Sequence, residues 1–478
     1  MQPSIIYKSS LERTFRIDAE FYKPNVLKAL SLLSKKQPLT NYVKVSDGNH
    51  TKISEYFQDY PGIPYYRGKD INTDFFIENA RPVYIPESKY NQKQMTRSHF
   101  LPGDVLLTIV GTVGNLSFVT DTIKKSTGSC KIANLRPISE LSSEYIASFL
   151  RSKYGQVQLE RMIRGTVQKG ILLEDLDQIQ LYPCSSKFNQ KIKEVVQLSI
   201  KLNAIRKQKY YEAEKILAKA LDLNEFQPEN KLTFTKRFSE IKQVERCDAE
   251  YFQPKFDEAV HRIKKSKNGY KYLEDLTSLI GHPSNPPCEL RDIKEKTFII
   301  TEKHLSDHFP SDKFWNDQES SYATDEFVRK NQKYLLDKSD IVVYSVGAAY
   351  VGKANLYNSP VRAICGSSLT LIRSIENLIN PYYLLVFLNS SFGQLLTRRN
   401  LRGSVQQCIY PCDTKKVPIP MLEKSIQEQI EITVRKGEET FNKSLKLLKI
   451  AKKAVEIAVE VNEEEANNFI DIELQKLQ

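Results

Sequence analysis

Four groups of residues could carry out chemistry, and their spacing argues against each. Asn285-Pro286-Pro287-Cys288 has the outline of the tetrad with which amino-methyltransferases hold a target base. A cysteine stands where that tetrad needs a stacking aromatic, and no glycine-rich cofactor loop precedes it. Asp104 and Asp340 each open an apolar run without the Glu-x-Lys that a metal-dependent nuclease would add, so turn capping is their expected role. GTVG at 111–114 lacks the Lys-Ser/Thr of a phosphate-binding P-loop. The six histidines do not cluster at ligand spacing, and the seven cysteines (130, 184, 247, 288, 365, 408, 412) include no CxxC pair. The expectation is a chain with no catalytic residues, metal or cofactor of its own, and with reduced thiols.

Recognition chemistry fares better. Base edges are read by Arg or Lys on guanine and by Asn or Gln on adenine, while phosphates take Lys, Arg and hydroxyls. Asn49, His50, Thr51 and Lys52 share a glycine-containing loop, and Arg67 and Lys69 lie beyond the strand that follows. The second half offers Arg291, Lys294 and Lys296, where ELRDI (289–293) mirrors RGKDI (67–71). Arg164 and Arg402 occupy matching places in two copies of one short motif. All eleven are candidate DNA contacts. A plain surface charge is the alternative for any one of them, and a turn with a conformationally free glycine is the alternative for Arg164 and Arg402. A net charge of +12 with a pI near 9.0 favours an anionic partner, nucleic acid being the usual one.

The elements that must position these residues occur twice. DAEFYKP (18–24) returns as DAEYFQP (248–254), FLRSKYGQ (149–156) as FLNSSFGQ (387–394), and RGTVQ (164–168) as RGSVQ (402–406). Between them LPGDVLL (101–107) answers LDKSDIVV (336–343), and VG at 113–114 answers VG at 351–352. The period is domain-sized, which excludes the short stacked repeats of solenoids and propellers. The copies diverge most between 31–100 and 261–335, so two different sequences are expected to be read there. Each copy begins with short β-type runs broken by Gly, Pro, Asn and Asp, flanked by helical stretches near 22–34 and 142–162, then 253–265 and 380–398.

Each copy ends in a long helical stretch. From Lys187 to Asp222 there is neither Gly nor Pro, and apolar residues recur at Phe188, Ile192, Val195, Leu198, Leu202, Ile205, Ala213, Ile216 and Ala220. Its polar face is basic, with Lys187, Lys191, Lys193, Lys201, Arg206, Lys207, Lys209, Lys215 and Lys219. The second stretch, from near Glu423, carries Ile426, Ile430, Val434, Phe441, Leu445, Leu448, Ala451, Val455 and Ala458, with Gly437 as an expected weak point. Neither stripe can stay in water alone, and mutual burial is the simplest solution. The fold class expected is mixed α/β: two α+β globules alternating with two long α-helices that pair antiparallel as a coiled coil, with an internal pseudo-twofold repeat. The expected boundaries are 1–185 and 226–421 for the globules, 186–225 for the central helix, and 422–478 for the C-terminal helix and tail. The longest apolar run, Tyr382 to Leu388, is far short of a membrane span, and no secretion leader is read.

This layout resembles the specificity subunit of type I restriction–modification systems. The resemblance is carried by DGNHT (47–51) followed by GIPYYRGKDI (62–71), and by RGTVQ and RGSVQ running toward Pro183 and Pro420 before a long helix. It covers about residues 13–222 and 245–460, and departs at GHPSNPP (281–287), which stands where a second DGNHT would be. It implies two target-recognition domains and a non-catalytic, cytoplasmic, prokaryotic subunit. Its partners would be double-stranded DNA, two modification (methyltransferase) subunits that bind S-adenosylmethionine, and ATP-dependent restriction subunits. The target would be bipartite and asymmetric, with half-sites whole helical turns apart, roughly 34–36 Å each. A scaffold whose helices recruit proteins and whose globules bind something other than DNA is the competing class, and it would lack a steep salt dependence of duplex binding.

Overall fold

The computed structural model describes the chain except residues 1–4, 9–10, 12–15, 34–35, 59–60, 72–74, 81, 166–167, 224–225, 227, 245, 290–295, 306–307, 309–321, 348–349, 404–405 and 478. It forms two compact units: Met1–Ala204 with Thr440–Gln478, and Ile205–Glu439. The division falls inside both long helices, Ser186–Ala220 and Lys424–Glu460.

Within the first unit a four-stranded antiparallel sheet runs in the order Val43–Asp47, Ile132–Pro137, Val105–Thr108, Leu116–Phe118. A second sheet runs Val83–Ile85, Ile63–Tyr66, Ser126–Gly128, His99–Phe100, with its middle pair parallel. A short ribbon joins Gln37–Pro38 to Gln180–Leu181. The central strand Val105–Thr108 is buried along its whole length, which is why it lies in a continuous apolar run of the sequence.

The second unit repeats the plan in its first sheet and in the inner strands of its second. Its antiparallel sheet runs Thr277–Gly281, Leu369–Ser374, Asp340–Tyr344, Ala354–Tyr357. Its other sheet runs Cys288–Glu289, Tyr322–Ala323, Phe298–Ile300, Ala363–Cys365, and again the last two strands named are parallel. At opposite ends of these sheets the outer strand of one unit is reduced to a single bridge in the other. Gln58 bridges Tyr84 where Cys288–Glu289 pairs, and Leu335 bridges Ile364 where His99–Phe100 pairs.

The repeated motifs are joints of this plan. In FLRSKYGQ and FLNSSFGQ the serine breaks one helical stretch into two, Ser143–Arg151 then Lys153–Met162, and Pro381–Asn389 then Ser391–Arg398. Ser152 and Ser390 are extended and cap the second helix by accepting from Gly155 N and Gly393 N. The closing glutamines reach the repeated VG turns: Gln156 Nε2 donates to Gly114 O at 3.2 Å and Gln394 Nε2 to Gly352 O at 2.7 Å. Asp104 accepts from Leu101 N at 2.8 Å and receives Arg136, while Asp340 accepts from Asp337 N at 2.8 Å and receives Arg373.

The long helices pair antiparallel, but along a seam that the apolar periodicity marks only in part. Leu198 and Ile205, expected on it, are 43% and 40% exposed, and Ser199, Asn203, Arg206 and Tyr210 are buried instead. From Val196 the buried positions run 199, 203, 206, 210, 213 and 217, alternating steps of three and four as a coiled coil requires. Small and polar side chains in mid-seam let the backbones close up. In the first unit Ser199 Oγ donates to Ser444 O at 2.8 Å. In the second, a Cβ on Gly437 would lie 3.2 Å from Lys209 Cβ and 3.3 Å from Arg206 O, so this glycine marks close approach rather than the weak point its propensity suggests. Arg206 therefore leaves the solvated basic face on which the sequence places it. A further helix, Glu463–Gln475, follows in the first unit, where Ser185 N donates to Glu463 Oε1 at 3.0 Å. Among the described residues no helix is long and apolar enough to cross a membrane.

Candidate nucleic-acid interface

In the first unit, backbone hydrogen bonds draw five loops to one edge. Asn49 N donates to Gly128 O at 2.7 Å, and Cys130 N to Asn49 O at 3.0 Å. Ser129 N donates to Tyr66 O at 2.9 Å, at the start of the Arg67–Asp70 turn. Ile109 N donates to Lys131 O, and Gly111 N to Lys169 O, both at 3.0 Å. Arg164 and Gly170 exchange both backbone bonds. The edge is therefore a ledge made of residues 49–52, 67–70, 109–112, 129–131, 164–165 and 168–170.

The expected contact residues fall on this ledge in different states. Asn49 is buried and braces the loop: its Oδ1 accepts from Thr51 N at 3.1 Å and Thr51 Oγ1 at 2.8 Å, while its Nδ2 donates to Thr51 O at 2.9 Å. His50 is exposed and its Nε2 meets Asp47, a buried carboxylate that Arg97 also engages. Thr51, Lys52 and Lys69 are exposed. Arg67 forks onto Asp70, with Nε to Oδ2 at 2.7 Å and Nη2 to Oδ1 at 2.9 Å.

Arg164 pairs with the buried Asp175, and Arg402 with Asp413 through two bonds of 3.2 Å. The Asp413 carboxylate lifts the Arg402 guanidinium above its ordinary value. The glycine after each arginine has φ near +90°, and a Cβ there would lie 2.5 Å from Gln168 O or 2.3 Å from Gln406 O. This conformation explains why both copies of the motif carry Arg-Gly. Both guanidiniums remain exposed beside their carboxylates.

The second unit has the matching ledge. Ser345 N donates to Ser368 O, Gly347 N to Gln407 O, and Arg402 and Cys408 exchange both bonds, as Ile109, Gly111, Arg164 and their partners do. The segment that matches RGKDI is TEKHL (301–305), not ELRDI. The parallel strand Phe298–Ile300 matches Ile63–Tyr66, and Gly366 N donates to Ile300 O as Ser129 N does to Tyr66 O. The turn after it is Thr301–His304, in which Thr301 N donates to His304 Nδ1 at 2.9 Å as Arg67 N donates to Asp70 Oδ2 at 2.8 Å. Thr301 and His304 thus stand where Arg67 and Asp70 do. Glu289 instead pairs on the outer strand, and Arg291 and Lys294 lie outside the described residues. Lys296 is exposed, its ammonium 5.6 Å from the Tyr322 ring centroid. By register Gly281 faces Leu371 as Ser46 faces Asn134, so His282 occupies the place of Asp47.

Sequence reasoning missed Lys131 and Lys169, both exposed on the first ledge, and Arg97 beside Asp47. Lys169 was within reach: extending the RGTVQ/RGSVQ alignment by one residue sets it against Gln407. Lys131 carried no such signal, because only the sheet brings it to the edge.

No protein-family profile matches the sequence, and no curated protein matches it. Among solved structures the chain is similar to a type I restriction–modification system S subunit from M. genitalium, with 11% identity over 89% of this chain and 95% of that one and a TM-score of 0.36. It is also similar to an HsdS subunit from Thermoanaerobacter tengcongensis, with 14% identity over 90% and 97% of the two chains and a TM-score of 0.30.

Proposed function

We propose that this chain is the DNA-reading specificity subunit of a type I restriction–modification complex, each unit recognising one half of a bipartite, asymmetric target. The observation that carries the reading is the matched pair of ledges. One framework is built twice, and each copy brings four matching loops to an edge whose side chains differ between the copies. A duplicated scaffold with unlike edges suits two unlike half-sites, since base contacts specify sequence while the frame supplies register. The sequence motifs that resemble this family lie at the joints of the frame and on the first ledge. In this reading the chain performs no chemistry. It delivers two modification subunits, which bind S-adenosylmethionine, and the ATP-dependent restriction subunits to double-stranded DNA in the cytoplasm.

The test is methylome sequencing of a host that expresses the chain with a modification subunit. The expected result is a two-part methylated motif that disappears when the gene for this chain is deleted. Methylation that persists unchanged after the deletion would reject the proposal.

A further inference from the structure

The two ledges match in backbone and differ in charge. On the first, the carboxylates of Asp47, Asp70 and Asp175 are buried, and each is engaged by an arginine: Arg97, Arg67 and Arg164 respectively, with the His50 imidazole also meeting Asp47. Those groups largely neutralise one another. Lys52, Lys69, Lys131 and Lys169 are exposed, and no ion pair among the described residues engages them. Lys131 packs across the neighbouring turn, its Cβ 3.3 Å and its Cδ 3.9 Å from where a Cβ of Gly68, the residue before Lys69, would stand.

The backbone bonds set Lys131 against Ser368 and Lys169 against Gln407, and the matching turns set Gly68 against Glu302. At these three positions the formal charge is +1, +1 and 0 in the first unit and 0, 0 and −1 in the second, totals of +2 and −1. Ser368 Oγ donates to the Glu302 carboxylate at 2.5 Å, which fixes that negative charge on the second ledge. Lys69 and Lys303 are both lysine and Arg164 and Arg402 both arginine, so they do not distinguish the units.

We propose that the first unit grips the duplex backbone through Lys131 and Lys169, and that the second unit makes no equivalent phosphate contacts at Ser368 and Gln407. This rests on the duplex-reading function above and adds a division of labour. The first ledge supplies sequence-independent, salt-sensitive affinity. At the two matching positions the second offers a hydroxyl and an amide, whose contribution is short-range and weakly screened. Each phosphate neutralised on B-DNA contributes about −0.9 to the slope of log K against log salt.

The two units supply their own controls, because each substitution installs a residue already present at the matching turn of the other. Duplex binding of the full chain, in complex with its modification partner, is measured by fluorescence anisotropy on random-sequence DNA across a salt series. Lys131→Ser with Lys169→Gln is expected to lower the steepness of the slope by about 2 (twice 0.9). Ser368→Lys with Gln407→Lys is expected to raise it by about the same amount. An unchanged slope in either double variant, with the parent chain steeply salt-dependent, overturns the division of labour and leaves duplex reading intact. A parent chain without salt dependence overturns duplex reading itself.

Discussion

Beneath their ledges the two units are held by the same polar joints, and on the ledges they part company. Asp104 with Arg136 and Asp340 with Arg373 lock the same strand corner, the arginines reaching on to His99 O and Leu335 O at 3.0 and 2.6 Å. Arg16 with Asp18 and Arg246 with Asp248 brace the entry segments, reaching Met162 O and Leu401 O. Tyr145 and Tyr383 close the floor by donating to Tyr182 O and Pro420 O. None of these groups lies on an edge loop. The contrast teaches that a framework of paired, largely buried groups tolerates little exchange, because breaking one leaves a partly desolvated group unpaired. Edge side chains that end in water can change charge at little cost to folding.

The largest expected effect breaks this shared frame. Asp104→Ala and Asp340→Ala each strand an arginine and release a turn N–H. Each should cost about 3 kcal/mol, the low end for a broken buried pair, since both guanidiniums retain some water. Hydrogen exchange by peptide would show whether the loss stays in the substituted unit. Equal loss of protection in both units would mean that they do not hold their structure separately.

Next comes the Arg-Gly turn. Gly165→Ala and Gly403→Ala force a side chain into the left-handed region, with a backbone carbonyl 2.5 and 2.3 Å from the new atom. Each should destabilise its unit by about 1–2 kcal/mol or more, to a similar degree in the two copies. Urea midpoints would test this, and a tolerated change at one position would show that the turns are not equivalent.

The strand corner offers a sharper contrast. Gly103 has φ +87°, and the matching residue of the second unit is Ser339 with φ +69°. Serine bears a strain there that glycine avoids, so Ser339→Gly should raise stability by about 1 kcal/mol and Gly103→Ser lower it by a similar amount. Thermal unfolding of the two variants would contradict this if both shifted the same way.

How much of this the sequence disclosed depends on what a residue does. Duplication was plain because the repeated motifs are joints, whose geometry restricts the residue type: a serine cap, a positive-φ glycine, a glutamine spanning two turns. The long helices were plain from their length and their lack of breakers. Their seam was legible only in part, because Ser199, Asn203 and Arg206 enter it where apolar periodicity points to Leu198 and Ile205. The second ledge was misaligned because its turn is built on Thr301 and His304 in place of Arg67 and Asp70. The same hydrogen bond is made there by an imidazole instead of a carboxylate, and no pattern of residue types reveals that exchange.

The smallest effect separates the units by pH. His99 stacks on Tyr90 with ring centroids 3.8 Å apart, and its Nε2 lies 3.0 Å from Tyr90 O. Burial holds the imidazole below its ordinary value, the nearby Arg136 adding to this while the Tyr90 carbonyl opposes it. The neutral ring is therefore favoured in the folded unit. Its contribution is full above the unfolded value, about 6.5, and is lost as pH falls through the lower folded value. The matching residue of the second unit is Leu335, which cannot titrate. Acidification from pH 7.5 to 5.5 should accordingly weaken protection of the 99–100 strand more than that of residues 335–336. His99→Leu, which makes the first unit like the second at this point, should remove that difference, as followed by hydrogen exchange corrected for intrinsic rates. A pH response of the strand that survives the substitution would place its origin in another group.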